Sequence, residues 1–255
     1  MQKDTLIGSV ALLIIIIAVI GYTMFRSVPS KTPVTTPVAS VLPADGEYVE
    51  HATYYDIVTN YATSTPLTEP ANSAAIALMK NFVGDTITQF KTDGNFDNLS
   101  AEDITMMGYD QGRKQTLDIK YLISISASSI SYIYTIYTDT LGAHGNMFFR
   151  TFTFDARSGA PLALTDLFIP GSNYLDKLSQ ISRAALPTVI GEGSDDNYIK
   201  GGTTPEEGNF KNFFFGNKEF IVLFPPYQVA PYAAGPQTLR IPLSSLSSIL
   251  KTEYR

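Results

Sequence analysis

Two histidines, His51 and His144, are the chain's whole supply of imidazole, and there is no cysteine to complement them. That rules out thiolate metal sites, a Cys nucleophile and disulfides. The histidines are not spaced as in a ligand motif such as HxxxH, so no metal site is expected. His144 lies in the Gly-rich stretch LGAHGN, with Asn146 beside it. It reads either as a contact residue or as a turn histidine bonded to backbone across a hairpin. The acidic run Asp195, Asp196, Asn197, with Glu206 and Glu207 beyond, lacks calcium-loop spacing and reads as solvated loop. Glu102/Asp103 and Asp195/Asp196 could in principle do acid–base work on a sugar, but neighbouring acids usually only decorate a surface. No GxSxG elbow occurs, and GEG and GGTT lack a strand–turn–helix setting. No catalytic residue and no cofactor is expected.

The remaining candidate is PPYQVAPYAAGP, residues 225–236, with four prolines, two tyrosines and no charge. Proline fixes φ and pushes its predecessor toward extended backbone, so the run is stiff. A stiff edge loses little entropy on binding. Tyr227 and Tyr232 offer apolar faces with polar tips. The expected binding residues are therefore Tyr227, Tyr232, His144 and Asn146. The competing reading has Phe224 and Val229 finishing a strand while Tyr232 packs over the sheet end.

Several elements must hold these residues. Leu117, Ile119, Tyr121, Ile123 and Ile125 alternate on odd positions, and Ile130, Tyr132, Tyr134 and Ile136 on even ones. A period of two places each set on one face of a strand, and the parity switch puts a turn at Ser126–Ser129. A third strand over Met147–Asp155 completes a meander. Glu47–Ala62 reads as a strand before it. Ile76, Met79, Val83, Ile87 and Phe90 recur at helical spacing, in a helix capped by Ser73 and stopped by Gly94. A second helix follows Ser172 and is kinked or ended by Pro187. Gly191–Gly208 reads as a polar loop. Phe210–Phe215, Glu219–Phe224 and Gln237–Ile241 read as strands, with a last helix from Ser244. The fold class expected is α+β: an antiparallel β-sheet with helices packed on one face, preceded by one N-terminal transmembrane helix.

That transmembrane helix is Leu6–Phe25, 20 residues without a charge. At about 1.5 Å per residue it matches a bilayer's hydrocarbon thickness of about 30 Å. No small-x-small cleavage site follows, which favours an uncleaved anchor. Lys3, Asp4 and Arg26 are the charges of the first 26 residues, so residues 27–255 carry −7 against −6 for the whole chain. The soluble part is acidic and has no basic run, so nucleic acid is excluded as a partner. The expected organisation is a short cytoplasmic end and membrane helix at 1–25, a Pro/Thr/Ser-rich stalk at 26–46, and two α+β halves at 47–126 and 127–255. The membrane is a partner through Leu6–Phe25, and the C-terminal domain is extracytoplasmic.

GAHGN (142–146), FTFDARSGAPLALTDLF (152–168) and LFPPYQVAPYAAGPQTLRIPLSSL (223–246), in that order, resemble the RsiV-type ectodomain family, DUF3298, with the companion DUF4163 before it. Leu141 stands where that family commonly has glycine. The resemblance implies a membrane-tethered envelope domain that binds a basic lysozyme-like protein or an envelope glycan. Only five residues precede Leu6, so a cytoplasmic sigma-binding segment is not expected. The function expected is non-catalytic binding or sensing at the cell envelope. The alternatives are a lysozyme-binding sensor or inhibitor, and a peptidoglycan-acting enzyme.

Overall fold

The computed structural model describes residues 42–255. The apolar run Leu6–Phe25 and the segment up to residue 41 lie outside the described residues. Among the described residues no helix is long and apolar enough to cross a membrane.

The stretch expected to be one strand at 47–62 is a hairpin of two, β1 (Glu47–His51) and β2 (Tyr55–Asn60). The chain turns at Ala52, whose N–H donates to the Tyr55 carbonyl at 2.9 Å. Helix α1 (Ala71–Gly94) follows. It starts before Ser73, and the carboxylate of Glu69 takes the Ser73 N–H at 3.2 Å, so Glu69 caps the turn in place of the serine. The left-handed residue at its end is Asn95 (φ 47°), one position beyond Gly94. A short helix α2 (Ala101–Met107), invisible in the periodicity, carries a capping box between Ser100 and Asp103. Strands β3 (Gln115–Ile125), β4 (Ser129–Asp139) and β5 (Asn146–Asp155) form the expected meander, with the turn at the parity switch.

The sheet is not wholly antiparallel. Its order is β1-β2-β3-β4-β5, and β2 runs parallel to β3. The reason is α1, which carries the chain from β2 back to the sheet; parallel neighbours need a crossover of this kind. Nor is there one sheet with helices on one face. Helix α3 (Tyr174–Ile190) and a short α4 (Asp196–Gly202) lead into a second, antiparallel sheet of β6 (Phe213–Phe215), β7 (Glu219–Phe224) and β8 (Gln237–Pro242). Pro187 sits in the last turn of α3, which ends three residues later. Part of the expected polar loop at 191–208 is therefore helical. The expected last helix is only a 3-10 turn, Leu243–Leu246.

Two cores result. In the first, Met79, Val83 and Ile87 of α1 pack on Ile57, Leu117, Tyr132, Tyr134 and Phe152. In the second, Leu178 and Leu186 of α3 pack on Phe213, Phe215, Phe220, Phe224 and Ile241. Hydroxyl groups bridge the joint between the sheets. Ser124 Oγ donates to the Phe215 carbonyl at 2.8 Å, Thr153 Oγ1 donates to the Phe213 carbonyl at 3.2 Å, and Phe213 N–H donates to Thr151 Oγ1 at 3.2 Å. These hydroxyls lie on the face of β3–β5 opposite α1, so β6 covers part of that face.

Asp155, at the end of β5, ties the first sheet to Tyr254 of the second core. Its carboxylate accepts from Arg157 N–H (3.1 Å), Ser158 N–H (2.8 Å), Ser158 Oγ (2.9 Å) and Tyr254 Oη (3.3 Å). Burial opposes its ionisation, but the donors of Ser158, Arg157 and Tyr254 outweigh that and hold the carboxyl below its usual range. A carboxyl depressed in the folded state stabilises fully above its unfolded pKa and loses that contribution as pH falls through the folded value. Asp155→Asn is expected to cost about 1–3 kcal/mol near neutral pH, where a hydrogen-bonded carboxylate is lost. The difference from the parent should shrink in acid. Thermal melts of both proteins from neutral pH into the acid range check this; a constant gap would contradict it.

Candidate functional site

The loop from β4 to β5 and the loop after β7 meet. Leu141 opens the first with φ 62°, a left-handed backbone that glycine adopts without strain, and its N–H is held by Asp139 Oδ1 at 2.8 Å. The second loop makes its own exception at Tyr227, with φ 70°. A non-glycine residue there costs about 1–3 kcal/mol and persists only where its surroundings hold it. The surroundings are visible. Val229 and Ala230, two and three residues on, are buried. Gln228 Nε2 donates to the carbonyls of Gly202 (3.0 Å) and Asn209 (2.9 Å). Val229 thus anchors a turn and does not extend a strand, since β7 ends at Phe224.

With the loop so fixed, three rings converge. His144 stacks on Tyr232 with centroids 3.7 Å apart and 16° between planes. Tyr227 lies 5.5 Å from Tyr232 and 6.0 Å from His144. Tyr232 Oη donates to the Gly145 carbonyl at 2.8 Å. His144 Nδ1 lies 2.9 Å from the same carbonyl, and its Nε2 lies 3.0 Å from Tyr227 Oη. A carbonyl only accepts, so Nδ1 carries the proton. In the neutral ring Nε2 is then the acceptor for the Tyr227 hydroxyl. His144 and Tyr227 are both exposed, Tyr227 by 49%.

This arrangement is a hydroxyl within reach of a base whose other nitrogen is fixed by a third group. It has the logic of an activated nucleophile or of water activation by a general base. Sequence reasoning named all three side chains but missed the dyad, because its partners are 83 residues apart. Asn146 is not part of the cluster. It opens β5 opposite Thr138 and points outward.

The other candidates are accounted for locally. His51 pairs with Asp56 at 2.8 Å, and Lys114 reaches the same carboxylate at 3.0 Å. Burial raises the Asp56 pKa, but those two partners outweigh it and hold the group below its usual range. Asp195 caps α4, accepting from the N–H groups of Asn197 and Tyr198. Asp103 is spent on the Ser100 capping box. Among the described residues no three His, Cys, Asp or Glu side chains could together hold a metal.

Comparison with known proteins gives these loops a wider context. Over 195 residues, 76% of this chain, the sequence is 28% identical to Peptidoglycan-N-acetylmuramic acid deacetylase PdaC of Bacillus subtilis (strain 168). Over 116 residues it is 23% identical to Esterase Rv3036c of Mycobacterium tuberculosis (strain ATCC 25618 / H37Rv). The chain spans 40% of the length of the first and 50% of the second. Both relatives carry enzyme names. That corrects the expectation of a non-catalytic binding domain, which rested on a residue inventory blind to the His144–Tyr227 pairing. In fold the chain resembles a DUF3298 family member from Bacteroides fragilis NCTC 9343, with a TM-score of 0.60 at 15% identity, covering 81% of this chain and 92% of that one. The stretch from Thr165 to Ser244, which contains both loop tyrosines, matches a protein family of unknown function, so residues 165–244 are a DUF3298 domain.

Proposed function

We propose that this protein acts on peptidoglycan as an acyl hydrolase, with His144 as general base and Tyr227 as the hydroxyl it activates or aligns. The observation that carries the reading is the oriented dyad: Tyr227 Oη on Nε2 at 3.0 Å and the Gly145 carbonyl on Nδ1 at 2.9 Å. Amide and ester hydrolysis, the reactions named for the two relatives, share one requirement. An oxygen nucleophile must lose a proton as it attacks an acyl carbon. Nε2 is placed to take that proton and to return it to the departing nitrogen or oxygen. Attack by Tyr227 Oη breaks the acyl C–N or C–O bond, frees the amine or alcohol and leaves the acyl group on the tyrosine; water deprotonated by Nε2 then cleaves that ester, giving the free acid and restoring the hydroxyl. Tyr232, stacked beneath the imidazole, keeps the ring from turning.

On this reading Leu6–Phe25 anchors the chain in the membrane and 26–46 is a stalk. The halves 47–126 and 127–255 are then an RsiV-like ectodomain with its DUF4163 companion first. The partner is envelope glycan. Acetate release from muramic acid-containing glycan by the full chain in detergent tests the proposal. His144→Ala is expected to slow release by about 10²–10⁴-fold, the usual worth of a positioned base, with no change in melting temperature. An unchanged rate in that variant, or no release by the parent, would falsify it.

A further inference from the structure

We infer that the uncovered half of the five-stranded sheet is a second saccharide subsite, continuous with the His144 cluster, that holds sugar units beyond the one undergoing reaction. The inference rests on the reading of peptidoglycan as substrate.

The register decides which side chains meet there. Asp118 lies opposite Tyr137, and Lys120 opposite Thr135, on the face turned away from α1. Further along the same face, Ser124, Ser131, Thr151 and Thr153 are taken up by β6 or by one another. Beyond β6 the face is open. Leu122 is 74% exposed and Tyr137 37% exposed. Together with Asn60 of β2 they line a trough of about 830 Å³. Ligand pockets span about 300–1,000 Å³, so the trough is of a size to take more than one sugar ring.

Its chemistry is that of a sugar site. Tyr137 offers a ring face for the C–H side of a pyranose. Asn60, Thr135 and the Asp118–Lys120 pair (3.0 Å) supply both donors and acceptors for hydroxyl and acetamido groups. A lipid chain would leave those polar groups stripped of water and unpaired, which is costly. The trough and the cluster share a wall. A side-chain carbon added at Gly145 would sit 2.2 Å from Tyr137 Oη. Gly145 is the residue whose carbonyl takes both His144 and Tyr232. A chain with one unit at His144 therefore has its neighbours beside Tyr137.

Calorimetric titration of the full chain in detergent tests this, using the N-acetylglucosamine–N-acetylmuramic acid disaccharide and its tetrasaccharide repeat. The tetrasaccharide is expected to bind about tenfold more tightly than the disaccharide, the worth of one added ring contact with its hydrogen bonds. Lys120→Ala and Leu122→Arg, each with a preserved melting temperature, should erase that advantage and leave disaccharide affinity as it was. Equal affinity for both sugars in the parent overturns the subsite and leaves the His144 reading standing. An advantage that survives both variants also overturns it. If only the tetrasaccharide binds, and Leu122→Arg abolishes it, the subsite stands and the His144 reading falls. If neither sugar binds, both fall.

Discussion

Replacing Gly202 by alanine is expected to destabilise the protein by about 3 kcal/mol, the upper range for forcing extra volume into a packed site. Gly202 ends α4, and a methyl carbon there would lie 1.9 Å from the carbonyl oxygen of Gln228 and 2.6 Å from its carbonyl carbon. Neither atom belongs to a side chain that can swing aside. The backbone of the 225–231 turn would have to retreat, taking with it the two hydrogen bonds from Gln228 Nε2 and the burial of Val229. Because that turn also holds Tyr227 at φ 70°, the hydrolysis proposed above and stability should fall together. Gly208→Ala is the matched control. Nothing lies within 4 Å of an added carbon there, so stability should hardly change. Urea unfolding of the two variants side by side settles it; similar midpoints would contradict the clash.

The second large effect belongs to Tyr134. Its side chain is completely buried and sits among Phe82, Phe152 and Tyr121, with ring centroids 5.3–5.8 Å away. Burial pushes its hydroxyl's pKa well up, so the group is neutral and takes the Ala62 N–H at 3.3 Å. Tyr134→Ala removes the ring and leaves a cavity that a sheet and a long helix cannot collapse around. The expected cost is about 3–5 kcal/mol. Tyr134→Phe keeps the ring and strands only one buried N–H, with an expected cost of about 1–3 kcal/mol. The ordering of the two in chemical denaturation is the measurement. Equal losses would mean that the hydrogen bond, and not packing, holds this position.

The sheet interior was legible in the chain because period-two alternation is local. The odd set Leu117–Ile125 and the even set Ile130–Ile136 lie where their parity puts them, with the turn between. The exceptions are Ile123 and Ile125, which keep the alternation but are 49% and 64% exposed at the end of β3. The stripe Met79, Val83, Ile87 and Phe90 likewise faces the core. What could not be read is pairing and strand direction. Tyr55–Asn60 has the same composition whether its neighbour runs parallel or antiparallel. Only the return path of α1 decides. Ala52–Tyr54 carries no glycine or proline to mark the first hairpin. The residues Asp195–Asn197 looked like loop because capping acids and loop acids are the same residues in sequence. The cluster was half legible: the loops announced their stiffness, but a contact between residues 144 and 227 leaves no local trace.

The hydroxyl joint between the two sheets has a consequence for how the protein breathes. Each sheet keeps its own hydrocarbon interior, and where β6 meets the first sheet, serine and threonine hydroxyls grip its main chain. A water molecule that reaches those grips can take over either side of them, which it cannot do for the hydrocarbon behind. A brief local opening there leaves both interiors closed.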